Sequence, residues 1–325
     1  MPDVVTLTMN PALDLSSETE QLTPGKKTRC SLPRHTPGGG GINVARGLHR
    51  LGTDVLAVYP SGGPTGQRLD GLLNQAGIRT QSLPIEGDIR ENLSLAEQAP
   101  HLESPKVFHL VFPGPTLAER EWQTVPEALE AIAPAPRYLV LSGSLPPGVP
   151  ADFYAEVAQR VSQRGTRVVL DTAAPTLDAT LSAQPPLFLI KPNHHECHQL
   201  FKVEREEPEA YLTGMDALLA KGTAEAIVVT LGSQGAVVAA EGLRLHLQPP
   251  SVEGRAPMGA GDSFVSALIH RLTQDGRLSE AARDGVAAAA AAVKIRDANL
   301  YRKQDLEQLR SQVQIHEHHP GHSQS

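Results

Sequence analysis

Short apolar runs and helical spacers alternate along most of this chain. Val4-Val5-Thr6-Leu7-Thr8 is a β-branched run closed by Asn10-Pro11 and reads as a buried strand followed by a turn. A helical period over 42–51 (Ile42, Ala45, Leu48, Leu51) ends at Gly52. Val55 to Pro60 reads as a second strand, followed by the turn 61–64 and a helix to about Ala76. Residues 16–36 are polar and lack helical period. Alternation returns around Asp88–Leu95 and extends to about Val111.

From Thr116 the pattern becomes helix-then-strand. A helix over 116–132 leads to strand 138–142, and a helix over 151–164 leads to strand 167–171. Strands 187–191 and 226–231 follow, the second after another helix. Short, continuously apolar strands separated by helical spacers predict an α/β fold with a mostly parallel central sheet flanked by helices on both faces. Ligands in such sheets bind beyond the carboxyl ends of the strands. The alanine-rich run Val286–Val293 reads as a helix packed closely on that sheet, and the polar, aperiodic residues 311–325 as a disordered tail.

Composition narrows the partners. Of 325 residues, 29 are Lys or Arg and 36 are Asp or Glu, so the net charge is −7. This balance argues against general binding of nucleic acid or an anionic membrane, and any bound phosphate needs a local basic cluster. No long apolar segment or signal-like start is present, so a cytoplasmic protein without a membrane span is expected. The two cysteines, Cys30 and Cys197, have no paired spacing and fit a reducing compartment.

Chemistry concentrates at the predicted strand ends. Gly259-Ala260-Gly261-Asp262 opens a helical period carried by Phe264, Val265, Leu268, Ile269 and Leu272. Small residues at a helix start leave backbone N–H groups open to an anion, and a carboxylate beside that anion can take a proton from an attacking hydroxyl. Asp262 could equally be an N-cap. Four glycines, Gly38–Gly41, precede Asn43. They do not form a dinucleotide fingerprint, and no Walker loop occurs anywhere in the chain. Asp14 can accept hydrogen bonds from sugar hydroxyls or shape a turn. Lys26-Lys27-Thr28-Arg29 is a basic knot in a polar stretch. Lys191-Pro-Asn193-His-His-Glu196-Cys-His198 crowds metal-ligating residues at poor transition-metal spacing, whereas Asn193 and Glu196 are oxygen donors suited to Mg²⁺ acting through water. Thr230-Leu-Gly232-Ser-Gln-Gly235 is a strand running into a glycine turn.

Together these stretches, from near residue 6 to near residue 270, resemble the signatures of the ribokinase-like sugar kinases, the pfkB family. The resemblance implies one ribokinase-like domain over 1–310, with a small β-sheet lid inserted as segments of about 14–36 and 88–112. It implies Asp262 as catalytic base, with Gly259, Ala260 and Gly261 cradling the transferred phosphoryl group. Asp14, Gly39 and Asn43 would hold the sugar, and Lys27, Arg29, Arg90 and Ser144 its phosphate. Lys191, Asn193, Thr230, Gly232 and Gly235 would hold the nucleotide, with Asn193 and Glu196 near Mg²⁺. Ala256-Pro257-Met258, where threonine is common in the family, and 294–302 depart from its pattern near the nucleotide base.

Within the family the chain looks most like the minor bacterial 6-phosphofructokinase branch. That branch implies ATP and fructose 6-phosphate as substrates, magnesium as cofactor and a homodimer formed through the lid. The 1-phosphofructokinases and tagatose-6-phosphate kinases, the alternatives, resemble one another in carrying lysine where this chain has Gly40. A non-catalytic sugar-phosphate sensor on the same fold would be expected to lose the base or the Asn-x-x-Glu pair, and both are intact here.

Overall fold

The computed structural model describes residues 2–99, 105–201, 207–252, 259–295 and 300–318. The chain opens with β1 (Val4–Leu7), β2 (Ala12–Thr19), β3 (Arg34–Gly38) and α1 (Gly40–Leu51). It continues with β4 (Val55–Ser61), α2 (Gly63–Gln75), β5 (Arg79–Pro84), β6 (Arg90–Glu97) and β7 (Lys106–Leu110). Next come α3 (Glu119–Trp122), α4 (Thr124–Glu130), β8 (Tyr138–Ser142), α5 (Phe153–Ser162) and β9 (Arg167–Asp171). They are followed by α6 (Thr176–Ser182), β10 (Leu189–Ile190), α7 (His194–Phe201), α8 (Pro208–Ala220) and β11 (Ala226–Thr230). The last elements are β12 (Ala236–Ala240), β13 (Leu243–Gln248), α9 (Ala260–Thr273), α10 (Leu278–Val293), α11 (Lys303–Arg310) and β14 (Gln314–Glu317).

Ten strands form one sheet in the order β14-β13-β12-β11-β10-β9-β8-β1-β4-β5. Pairing is parallel from β11 through β5 and antiparallel from β11 out to β14. Successive strand residues point to opposite faces, so the apolar strands feed two cores. Val4 and Val140 pack with Ile42, Leu48, Phe264, Leu268 and Ala287 from α1, α9 and α10. Val5, Leu139 and Leu141 pack with Val125, Phe153, Tyr154, Tyr211 and Met215 from α4, α5 and α8. The alanine run of α10 is buried in the first of these cores, and just before it a Cβ added at Gly285 would lie 2.9 Å from the Phe264 ring of α9.

A second, four-stranded sheet has the order β3-β2-β6-β7. Its central pair is parallel, with Asp14 opposite Asn92, and both outer pairs are antiparallel. Because β2 begins five residues after β1 ends, one stretch of chain feeds both sheets. The small sheet is thereby anchored at the carboxyl end of β1.

Several expectations are corrected. The helix expected over 116–132 is two short helices meeting at Gln123. Pro126 lies in the first turn of the second, where its missing N–H is least costly. The strand expected over 187–191 has only two paired residues, although Phe188 and Lys191 N–H groups continue bonding to β9. The tail expected from 311 instead contributes edge strand β14, paired with β13 as far as Glu317 and with Ile315 packed against the core. One apolar residue in a polar segment carries no period of its own, so only pairing with β13 makes it a strand. Residues 319–325, like 253–258 and 296–299, lie outside the described residues, and with them most of the departures noted near the nucleotide base.

Candidate active site

Two helix N-termini meet above the sheet. α9 starts behind Gly259, whose φ of 74° lies in the left-handed region, and no side chain caps its first turn. Asp262 is therefore in the first turn rather than at the N-cap. α1 starts behind Gly39, with φ 106° and likewise no capping side chain. Orphan N–H groups and the positive dipole ends of both helices thus face the same region, an arrangement suited to anions.

Close packing sets the spacing of these helices. A Cβ at Gly47 would lie 2.3 Å from Ser266 Oγ, and the buried Tyr301 hydroxyl reaches both Ser266 Oγ (3.0 Å) and the Gly47 carbonyl (3.2 Å). At this distance Asn43 Nδ2 donates to Asp262 Oδ2 at 2.9 Å. Burial, then the neighbouring Asp171 charge, push the Asp262 carboxyl up to about 6, against the opposing pull of Asn43 and Lys191. A carboxylate tuned toward neutrality is a competent proton acceptor near physiological pH.

Lys191 lies beneath this loop. Its ammonium pairs with Asp171 at 2.8 Å, with side chains 5% and 15% exposed, and a Cβ at Gly261 would stand 3.8 Å from Nζ. Burial alone would lower the lysine pKa, but the Asp171 pair together with the Glu196 and Asp262 charges outweighs it and the net shift is upward. The lysine stays charged.

On the lid side, Asn92 Nδ2 donates to Asp14 Oδ1 at 2.8 Å. Burial raises the Asp14 pKa, partly offset by Asn92, Arg90 and Arg46. Gly38 has no room for a side chain, because a Cβ there would sit 2.2 Å from Asp14 Oδ2. Arg90 donates to the carbonyls of Asn10 and Phe112, both at 3.1 Å, and Asn10 Nδ2 donates to Ser144 Oγ at 3.2 Å. Asp14, Arg90, Asn10 and Ser144 therefore form one connected group. Lys27 and Arg29 do not join it: both are exposed on the β2–β3 connection, with no contact to that group among the described residues.

On the opposite side, Asn193 N–H donates to Glu196 Oε2 (2.8 Å) and Glu196 N–H to Asn193 Oδ1 (3.0 Å), a reciprocal cap at the start of α7. Burial foremost raises the Glu196 pKa. An isolated parallel bridge between Asn193 and Thr230 sets this turn beside the Gly232–Gly235 loop. A cleft of about 260 Å³ opens between that loop, His194 and Tyr211. His194 and His195 stack on each other with ring centroids 3.9 Å apart, and among the described residues no three His, Cys, Asp or Glu side chains are placed to hold a metal.

Four residues of this neighbourhood escape the sequence reading: Asn10, Arg46, Asn92 and Asp171. Asp171 ends strand 167–171, and the strand-end rule that picks out Asp14 would have found it. Arg46 lies one helical turn after Asn43, which is a weak signal. Asn10 and Asn92 carry none, because their roles depend on partners 134 and 78 positions away.

Residues 4–303 match the model of the pfkB family carbohydrate kinase. The chain belongs to this family. It is 37% identical over 290 residues, 89% of its length and 84% of the relative's, to the ATP-dependent 6-phosphofructokinase isozyme 2 of Mycobacterium tuberculosis H37Rv. It is 35% identical over 292 residues to the enzyme of the same name from Escherichia coli K12, covering 90% and 93% of the two chains. Among solved structures it is similar to phosphofructokinase-2 from Escherichia coli in complex with fructose-6-phosphate, with TM-score 0.87, 33% identity and coverage of 96% and 99%. The pfkB chain described here therefore has the expected ribokinase-like fold, with a large mostly parallel sheet and a small separate one.

Proposed function

We propose that this pfkB kinase transfers the γ-phosphoryl group of ATP to the C1 hydroxyl of fructose 6-phosphate, giving fructose 1,6-bisphosphate and ADP. The observation that carries the reading is the Asn43–Asp262 bond at the meeting point of two uncapped helix N-termini. Asp262 takes the proton of the C1 hydroxyl as its oxygen attacks the γ-phosphorus and the bond to the β-phosphate oxygen breaks. Backbone N–H groups of Gly259, Ala260 and Gly261 receive the charge on the phosphoryl oxygens. Lys191 adds a fixed positive charge below them.

Asp14, Gly39 and Asn43 hold the sugar hydroxyls in this reading. Arg90 and Ser144 lie at the sugar-phosphate end, and Lys27 and Arg29 reach it only with movement of the lid connection. Thr230, Gly232, Gly235 and Asn193 take the nucleotide. The oxygen donors of Asn193 and Glu196 fit Mg²⁺, which keeps most of its waters, because each already gives one acceptor to a backbone N–H and cannot close a cage. Bound with the nucleotide, the ion neutralises phosphate charge.

The lid exposes Leu32, Phe108, Leu110, Val111 and Phe112. Exposed apolar side chains of this kind, most of them on and just after β7, support a homodimer formed through the small sheet. Exposed Cys30 and buried Cys197, both free, fit a cytoplasmic setting. No helix among the described residues is long and apolar enough to cross a membrane.

Gly40 favours the 6-phosphate substrate over its rivals. A Cβ there would lie 2.3 Å from Ser142 Oγ and 3.1 Å from the Gly143 nitrogen, so the lysine typical of the alternatives would require Ser142 to turn and the end of β8 to give. The test is kcat/KM with ATP and Mg²⁺ on fructose 6-phosphate, fructose 1-phosphate and tagatose 6-phosphate. A higher value on fructose 1-phosphate overturns the substrate and leaves the kinase reading in place.

A further inference from the structure

Arg46 lies on α1 one turn beyond Asn43, and its Nη1 donates to two acceptors: Asn43 Oδ1 at 2.9 Å and the Pro37 carbonyl at 3.0 Å. Pro37 belongs to lid strand β3, where it is paired with Leu13, beside the Asp14–Thr36 pair. A guanidinium only donates hydrogen bonds. It therefore draws the oxygen end of the Asn43 amide toward itself and turns the nitrogen end toward Asp262, where the 2.9 Å bond is seen. The two ends of a primary amide are nearly the same shape. A donor-only guanidinium on one side and an acceptor-only carboxylate on the other specify the same orientation, so rotating the amide would lose both bonds at once.

Charge reinforces the arrangement. The guanidinium is partly desolvated and repelled by Arg50, and the fields of both Asp14 and Asp262 oppose these two effects. The groups facing Asp262 come from four elements or their ends: Asp14 on β2, Asn43 on α1, Asp171 on β9 and Lys191 after β10. Of these, Asn43 alone is a neutral donor whose direction can reverse.

We propose that Arg46 is a positioning residue for the base, holding the Asn43 amide in the orientation that donates to Asp262 and tying that orientation to the place of lid strand β3. This rests on the reading of Asp262 as the base. Asp262 Oδ2 is then committed to Asn43, and Oδ1 is the oxygen offered to the substrate hydroxyl. Because the same Nη1 holds a lid carbonyl, the base is ordered when the lid strand is in place.

The test compares Arg46→Met, Arg46→Gln and Arg46→Lys with Asp262→Asn, using fructose 6-phosphate and ATP. Arg46→Met should lower kcat by about ten- to a hundredfold, as misplacement of a catalytic group does, with both KM values within about threefold. The acidic limb of its kcat–pH profile should move to higher pH, because the donor that favours the ionised carboxylate is no longer directed. Arg46→Lys should restore most of kcat, since an ammonium can donate to both acceptors. Arg46→Gln keeps only a shorter neutral donor and should lose more than about threefold in kcat but less than Arg46→Met, which keeps the question open to measurement should the Met variant fold poorly. A kcat for Arg46→Met or Arg46→Gln within about threefold of wild type, beside an inactive Asp262→Asn, overturns the proposal. So does a raised KM for fructose 6-phosphate with kcat and the acidic limb unchanged, which would make Arg46 a substrate contact. An active Asp262→Asn overturns the base assignment itself, and this inference with it.

Discussion

Asn43 and Asp262, 219 positions apart in the chain, meet through a hydrogen bond of 2.9 Å from Nδ2 to Oδ2. It joins the first turns of α1 and α9 and supplies a neutral donor that favours ionised Asp262. The carboxyl sits at about 6 in the free enzyme, so the acidic limb of kcat/KM should fall near that pH, activity rising as the base loses its proton. Asn43→Ala should shift the limb to higher pH. A limb left unchanged in this variant, followed over about pH 5 to 8, would separate the bond from the titration.

Asp262→Asn should lower kcat by about a hundred- to ten-thousandfold, with binding of both substrates retained. Stability should move the other way. The folded carboxyl titrates at about 6 rather than 3.8, so the native state binds more protons between those values and loses stability as pH rises through them. The destabilisation is complete above about 6. Thermal melts at about pH 7 should therefore show a higher Tm for the Asn variant, and its advantage should shrink toward about pH 4. A variant keeping more than about a third of wild-type kcat would rule out the general base.

Arg90 roots the lid through the Asn10 and Phe112 carbonyls and lies beside Asp14. Arg90→Ala should reduce kcat/KM for fructose 6-phosphate by about one to two decades, the worth of a charge-assisted contact, with KM for ATP nearly constant. Equal loss on both substrates would mean that the lid has lost its anchor and that the arginine is not a phosphate ligand.

Lys191 and Asp171 form a buried pair, so removing one partner leaves the other charge uncompensated. Lys191→Met should cost roughly 3–5 kcal/mol of stability, measured by urea denaturation, and should raise the pH at which the base titrates. Lys191→Met combined with Asp171→Asn should recover much of the stability. Additive losses in the double variant would show that the two charges do not compensate each other.

Phe108 is 42% exposed on β7 within the apolar lid surface. Phe108→Glu should convert a dimer to a monomer in sedimentation velocity and weaken sugar-phosphate use, with the fold intact by circular dichroism. A wild-type chain that sediments as a monomer would remove the lid-mediated dimer from the proposal.

Local physical chemistry was enough to determine much of this protein from its sequence. Continuous apolar runs such as Tyr138–Ser142, short and bounded by turn residues, read as strands buried on both faces, and the helical spacers between them fit parallel pairing. Gly259–Asp262 opening an apolar helical period places a carboxylate beside the open backbone N–H groups of a helix start. Tertiary structure alone decided the rest, because the deciding partners are far apart in the chain. Gln314–Glu317 is a strand only because β13 offers it an edge. Asp14 faces Asn92 only because β2 and β6 pair in that register. Arg46 turns the Asn43 amide only because the lid strand carries Pro37 over α1, and Asp262 reaches its raised pKa only where Asp171 and the cover of the surrounding elements meet it. Burial, register and electric field are properties of the assembled chain, and no window of sequence contains them.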